Sequence, residues 1–245
     1  TKDKPGATHK GYHWVYYDPL KRLVLFDYRK TRSREGPDEI LENFSGHLQT
    51  DGYDAYHHFE KRPDITLLSC MAHARRYFDK ARDNDPERAS KALKMFQSLY
   101  ETERIMRQNE LSADQIKTVR QWIAVPELEV MEKWFKEEIY KVAPKSAIGK
   151  AFAYSLRLWH RLKRYVEDGR FLIDNNLVEN SIRPVALGRK NYLFAGSHQA
   201  AQNAAMIYSL LATCKLKNVE PFQWLKDVLT RLPDHPANKL HELLP

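Results

Sequence analysis

From Pro86 to about Gly169 the chain reads as nearly all helix, while the segments on either side of it do not. Leu93, Phe96, Leu99 and Tyr100 recur at three-to-four spacing, the period at which side chains share one helix face. Ser112-x-x-Gln115 is a capping-box pattern that predicts the start of a second helix. Pro126 starts a third, with Leu128, Met131, Trp134 and Phe135 turned inward. Ile148, Phe152, Leu156, Trp159, Leu162 and Val166 stripe a fourth, for which Gly169 is the expected C-cap. Stripes of this kind are the core of a helix bundle far more often than a cofactor site. A block of this length, set inside a chain of different character, constrains the fold to a mixed domain carrying a helical insertion.

The flanking segments supply the mixed part. Residues 11–17, GYHWVYY, and 22–28, RLVLFDY, are aromatic and β-branched, with the turn signal Asp18-Pro19 between them, and predict an antiparallel hairpin. Gly36-Pro37 opens a short helix with Ile40, Leu41 and Phe44 on one face. Gly46–Thr50 is a third strand ending at Asp51-Gly52. Ile65–Ser69 is a fourth, running directly into the basic helix AHARRYFDKAR. After the helical block, Leu177–Pro184 is expected to be helical and closed by Pro184. Ala201–Cys214 is an Ala-rich helix whose small residues permit close packing, and Pro221–Leu232 is a last helix with Phe222, Leu225 and Leu229 on one side. The expected division is 1–84 and 170–245 as two parts of one α/β core, with 85–169 as the helical insertion.

Composition narrows the partners. The 245 residues carry a formal charge of +8 and a pI of about 9.3, and 42% are apolar. That balance suits a globular chain with a polyanionic partner, nucleic acid first, although many basic proteins bind none. Two cysteines, Cys70 and Cys214, build neither a disulfide framework nor a four-ligand zinc set, which fits a reducing cytosol. The longest apolar-leaning run, Ala204–Cys214, is far short of a membrane span, and a cytoplasmic location is expected. The first residue is Thr, so the chain is expected to be cut from something longer.

The chemistry concentrates in residues 174–198. Asp174 and Glu179 sit among Arg170, Arg183, Arg189 and Lys190. Carboxylates held among cations suit a metal site that handles phosphates. Each has a structural alternative: Asp174 as a helix N-cap, Glu179 as the reaching-back member of an Asn176-x-x-Glu179 start. Arg183 lies four residues after Glu179, so a salt bridge is its bland role and phosphate contact its sharper one. Asp51 stands at a strand end, where the sheet fixes the backbone bearing it, with Gly52 behind it; the alternative is a plain Asp-Gly turn. Hard divalent cations prefer carboxylate oxygens, and two magnesium ions roughly 4 Å apart can activate an attacking oxygen and stabilise a leaving one. Arg and Lys nearby would hold the DNA backbone.

A third cluster is Cys70-x-x-His73-x-Arg75-Arg76. No second Cys or His pair has zinc spacing, so His73, Arg75 and Arg76 read as phosphate contacts or as a solvated helix start. The run from Arg29 to Arg34 reads equally as a DNA contact or a solvated loop. There is no G-x-S-x-G elbow, no G-x-x-x-x-G-K loop and no G-x-G-x-x-G fingerprint.

LQTDGYDAY at 48–56, CMAHARRYF at 70–78, DNNLVENSIRPVALGRKNYLFAGS at 174–197 and IYSLLATCKLKNVEPFQWL at 207–225 together resemble the insertion-sequence-sixty-six family of bacterial transposases. The GYHWVYYDP opening and the RLPDHPANKLHELLP ending do so too, and the resemblance covers essentially the whole chain. It implies an RNase-H-like mixed sheet with flanking helices, an Asp-Asp-Glu triad and two Mg²⁺ ions. The family's second Asp falls on Asp51 and its Glu on Glu179. Its first Asp belongs to an Asp-Glu-Thr-Pro segment expected just before Thr1, on a first, central strand. Asp3 does not match that segment, and Asp27 lies on the wrong element. The helical block between Asp51 and Glu179 matches the resemblance, which implies an insertion before the last acid.

The expected function is therefore Mg²⁺-dependent cleavage and strand transfer at transposon ends, with Asp51 and Glu179 as metal-holding catalytic acids. His73, Arg75, Arg76, Arg183, Arg189 and Lys190 are expected to contact DNA. The resemblance implies transposon-end and target DNA as partners, a homo-oligomer on DNA and accessory transposition proteins. Rivals are a nuclease or resolvase on the same fold, a non-catalytic DNA-binding remnant, and a glycosidase with paired carboxylates, against which the cationic surroundings argue.

Overall fold

A computed structural model describes residues 8–245; Asp3 lies outside the described residues. The elements run β1 (Tyr12–Asp18), β2 (Leu23–Arg29), α1 (Glu35–Ile40), β3 (Gly46–Thr50), β4 (Ile65–Ser69), α2 (Met71–Asp79) and α3 (Pro86–Gln108). They continue with α4 (Ala113–Val119), α5 (Val125–Glu138), α6 (Ala147–Arg157), α7 (Trp159–Leu162), α8 (Asn176–Tyr192), α9 (His198–Leu216) and α10 (Pro221–Arg231). The described residues are mixed α/β, mostly helical, with two small sheets. It divides into two units, one formed by the chain up to Glu42 and from Asn176 on, the other by Asn43–Asn175.

In the first unit β1 and β2 pair antiparallel, Tyr12 opposite Arg29 and Asp18 opposite Leu23. The turn is built by Asp18, whose Oδ1 accepts the N–H groups of Leu20 at 2.9 Å and Lys21 at 3.0 Å. Helix α9 lies along β2. Ser209 Oγ accepts the Phe26 N–H at 2.8 Å, and Thr213 Oγ1 accepts the Val24 N–H at 3.3 Å. The two hydroxyls, one helical turn apart, meet alternate residues of the strand, so the helix satisfies edge donors that a further strand would otherwise take. Val24, Phe26 and Ala205 form the small core, with Val15, Tyr208 and Ala212 packed on it. Ala201 and Ala205 are buried, as the close approach of helix to strand requires.

One expectation for this unit needs correction. Pro184 does not end its helix but sits inside α8. It removes the hydrogen bond to the Asn180 carbonyl, and since both residues are exposed, solvent can satisfy that oxygen. In α10, Phe222, Leu225 and Leu229 share a face as expected, and all three are exposed.

The second unit holds the larger core. β3 and β4 pair parallel, with Gly46 opposite Ile65 and Thr50 opposite Ser69. β4 is buried along nearly its whole length, as a strand covered by helices should be. Phe78 of α2, Phe96 of α3, Phe135 of α5 and Phe152 of α6 pack as one aromatic cluster, with Phe78–Phe135 centroids 5.1 Å apart. Ser112 and Gln115 form the expected capping box.

Here too the structure departs from expectation. The fourth helix of the block is not continuous: Leu158, at φ −103° and ψ 6°, breaks it between α6 and α7, after which the chain runs on as a 3₁₀ turn over Lys163–Glu167. Gly169 is not a left-handed cap, since its φ is not among the positive ones. A Cβ there would lie 1.9 Å from the Ala113 carbonyl oxygen, so glycine is required by close packing. Pro126 stands in the first turn of α5, as expected, but no loop precedes that helix. α4 passes through a π-helical turn, Arg120–Ala124, straight into α5, with the Val125 N–H reaching the Arg120 carbonyl.

Candidate active-site loop and basic helix faces

Asp51 follows β3 directly, in the second unit. Its neighbour Thr50 is buried and accepts the Cys70 N–H at 3.0 Å through its carbonyl, continuing the link to β4. The chain then turns. Gly52 has φ +82°, a left-handed value at which a side chain would be strained. Asp51 Oδ1 accepts the Tyr53 N–H at 2.9 Å, an Asx turn that orients the carboxylate. The carboxylate is half-buried, and its second oxygen makes no hydrogen bond or ion pair among the described residues. Tyr154 of α6 donates its hydroxyl to the Asp51 carbonyl at 2.8 Å. Burial, helped by the surrounding negative groups, pushes the Tyr154 hydroxyl well above its ordinary range. Arg157, one turn on, reaches Asp54 Oδ1 at 3.4 Å.

Tyr154 was not visible as a functional residue in the sequence. It lies off the apolar stripe of α6, and nothing in that segment says that its hydroxyl meets the loop after β3.

Glu179 stands in the first turn of α8, half-buried, in the other unit. Arg183, Arg189 and Lys190 follow on the same helix, all exposed, and none makes an ion pair or side-chain hydrogen bond among the described residues. The salt bridge from Arg183 to Glu179 is therefore not formed. Arg189 and Lys190 occupy the last turn of α8, where cations complement the helix dipole.

α8 begins at Asn176, two residues after Asp174. Asp174 is buried in the second unit, and together with burial it raises the Tyr100 hydroxyl far above its ordinary range. Arg170 is committed to Asp168, which it holds down to about 2.

The α2 cluster divides. Cys70 is fully buried, its Sγ accepts the Asn175 N–H at 3.4 Å, and burial pushes the thiol up to about 11. That is an inert core thiol rather than half of a metal site. His73 Nε2 lies 3.3 Å from Arg76 Nη1, and Arg75 is exposed. At the end of β2, Arg29 is taken up by Asp27 at 2.6 Å and Glu39 at 2.5 Å, so this part of the basic run is already neutralised.

Among the described residues no three His, Cys, Asp or Glu side chains are grouped to hold a metal ion. Asp51 nevertheless has the character of one member of such a set. It offers hard oxygens, one of them without a partner among the described residues, on a backbone fixed at a strand end. No helix is long and apolar enough to cross a membrane among the described residues.

Comparison with known proteins gives two family matches. A model described as Transposase IS66 family matches residues 1–203, and one described as IS66 C-terminal element matches residues 209–245. Three proteins of Sinorhizobium fredii (strain NBRC 101917 / NGR234), each named only as uncharacterized, are similar along most of the chain. They are y4hP, 36% identical over 87% of this chain, y4qI, 32% over 98%, and y4jD, 31% over 93%. The chain covers 42%, 47% and 46% of these relatives respectively, less than half the length of each. No solved structure matches the chain.

Proposed function

This chain belongs to the IS66 transposase family, and on that premise we propose that it is the catalytic part of a DNA transposase that cleaves and transfers strands at transposon ends. The observation that carries the reading is the family match across residues 1–203, which includes both Asp51 and Glu179. We assign these two as members of an Asp-Asp-Glu triad on an RNase-H-like core. Residues 1–84 and 170–245 would form that core and 85–169 its helical insertion. The third carboxylate would come from the whole protein, of whose relatives this chain covers less than half.

The division of labour follows from the side chains. Asp51 and Glu179 would hold magnesium, which when bound activates the attacking oxygen and offsets charge on the leaving one. Asp51 suits this by its fixed strand-end position and its available oxygen. Arg183, Arg189 and Lys190 on α8, with His73, Arg75 and Arg76 on α2, would hold the phosphodiester backbone. The three on α8 are exposed cations with no protein partner among the described residues, which is what phosphate contact needs. A homo-oligomer pairing two DNA ends, accessory transposition proteins and a cytoplasmic location complete the proposal.

The test is strand transfer by the full-length protein on a transposon-end substrate. Asp51→Asn and Glu179→Gln should each abolish cleavage and transfer while leaving DNA binding intact. Full strand transfer by Glu179→Gln would refute the assignment.

A further inference from the structure

Resting on the assignment of Asp51 as a metal-holding acid, we propose that Tyr154 of the helical block is a positioning residue for Asp51. It holds the Asp51–Gly52 peptide in the one orientation that presents the carboxylate.

The loop after β3 has a specific weakness. Gly52 carries no side chain and sits at φ +82°, so the peptide before it can turn over at little steric cost. Asp51 is attached to that peptide, and a flip would re-aim its carboxylate. Thr50 on one side is fixed by the β3–β4 pairing, and its Oγ1 accepts the Gly52 N–H of the next peptide only at a long 3.4 Å, while the carbonyl of that peptide takes no bond from the strands. Tyr154 holds that carbonyl. Its hydroxyl donates to the Asp51 carbonyl at 2.8 Å, a bond that exists only when this oxygen faces α6. The same hydroxyl would lie 2.7 Å from a Cβ on residue 52, so tyrosine and glycine are matched to each other.

Tyr154 is itself held. Its ring stacks on Tyr77 of α2, centroids 4.3 Å apart and planes 22° apart, and the Arg157 guanidinium lies 5.8 Å from its centroid. Arg157 also reaches Asp54 Oδ1 at 3.4 Å, so α6 grips the loop at Asp51 and again at Asp54. α6 in turn is anchored by Ile148, Ala151 and Phe152 in the main core. The Asp51 carboxylate is thus fixed from two ends, by its own Asx turn to Tyr53 and by Tyr154 at the carbonyl. On this account the helical block serves the reaction by fixing a strand-end acid.

The decisive variant is Tyr154→Phe in the full-length protein, which keeps the ring and its stacking and removes only the hydroxyl. Amide hydrogen exchange should accelerate at Gly52 and Tyr53, on the order of tenfold, the scale of one lost hydrogen bond. The Mg²⁺ concentration giving half-maximal cleavage of a transposon-end duplex should rise about tenfold, since a carboxylate that samples wrong orientations binds more weakly. DNA affinity should be unchanged, and saturating Mg²⁺ should restore most of the rate. The half-saturation value does not depend on how much protein is folded, so it reports even if the variant is less stable. Unchanged exchange at these two amides, or an unchanged half-saturation, overturns the proposal. Failure of the underlying assignment looks different: Asp51→Asn would then cleave DNA like the unaltered protein, whatever Tyr154→Phe does to exchange.

Discussion

Arg120 meets Glu103 through two parallel contacts of 2.7 Å each, Nε to Oε1 and Nη2 to Oε2, with both side chains buried. The remaining donors are also used. Nη1 reaches the carbonyls of Tyr165 at 2.7 Å and Asp168 at 2.8 Å, and Nη2 reaches that of Phe171 at 2.9 Å. All five guanidinium N–H groups are therefore matched, which is the condition under which a buried charge is tolerated. The π-helical turn that begins at Arg120 joins α4 to α5, and from it the side chain reaches α3 and the carbonyls of the 165–171 segment. Glu103→Ala should lower stability by about 3–5 kcal/mol, because it strands a buried guanidinium. Thermal unfolding checks this, and a loss under 1 kcal/mol would show the pair to be dispensable.

The edge of β2 gives a second prediction. Ser209 and Thr213 take the N–H groups of Phe26 and Val24. Ser209→Ala should cost about 1–3 kcal/mol, the range for leaving a buried donor without a partner. Thr213→Val, which keeps shape and removes the hydroxyl, should cost a similar amount. Chemical denaturation of each variant measures it. If both are neutral, water reaches the strand edge and the helix is not its partner.

Much of this architecture was legible beforehand, and the pattern of what was not is physical. Among the described residues β1 and β2 stand where aromatic and β-branched runs flank the Asp18-Pro19 turn, β3 and β4 stand where they were expected, and the Ser112–Gln115 box formed, because these signals act within a few residues of themselves. The departures involve groups far apart in sequence. Gly169 is read as a cap by its position, but its real constraint is the carbonyl of Ala113. Leu158 lies between the stripe residues Leu156 and Trp159 and breaks their helix, which propensity does not signal. Pro184 persists inside α8 because solvent is at hand for the freed carbonyl. Of the candidate site, Asp51 at the end of β3 was legible, since a strand end followed by Asp-Gly is a local pattern. Tyr154, separated from it by most of the helical block, was not.

Acid sensitivity follows from Glu60. Hydrogen bonding from Arg161 first, with His160 as a second partner, holds its carboxyl down to about 2 from an ordinary 4.5. A carboxylate lowered on folding contributes stability that is complete above about 4.5 and is lost as the pH falls towards about 2. Asp168, held down by Arg170 to about 2, adds to the same window. Glu60 is more than a third exposed, so solvent screens the contribution to less than the displacement alone implies. The melting midpoint should fall between pH 4.5 and 2, and Glu60→Gln should flatten that fall. An unaltered acid profile in the variant would mean that Glu60 contributes nothing to it.

The exposed cations of α8 make the last prediction, and it separates two roles. Arg189 and Lys190 lie in the last turn, where a merely structural cation would stabilise the helix by about 0.3–1 kcal/mol through its dipole. Arg183 lies mid-helix, so the dipole gives it no such role, and it makes no ion pair with Glu179. If all three contact phosphates, each substitution by Ala should weaken DNA binding about equally for every sequence. Each should also reduce the dependence of log affinity on log salt by about 0.9 for duplex DNA. If Arg189 and Lys190 act only on the helix, their variants should melt slightly lower and keep the full salt slope. Fluorescence anisotropy with the full-length protein across a salt series reads the slope, and a thermal melt of the same samples reads the stability. Arg183→Ala is the sharpest of the three, because a salt slope unchanged in that variant leaves the residue with no role in holding DNA.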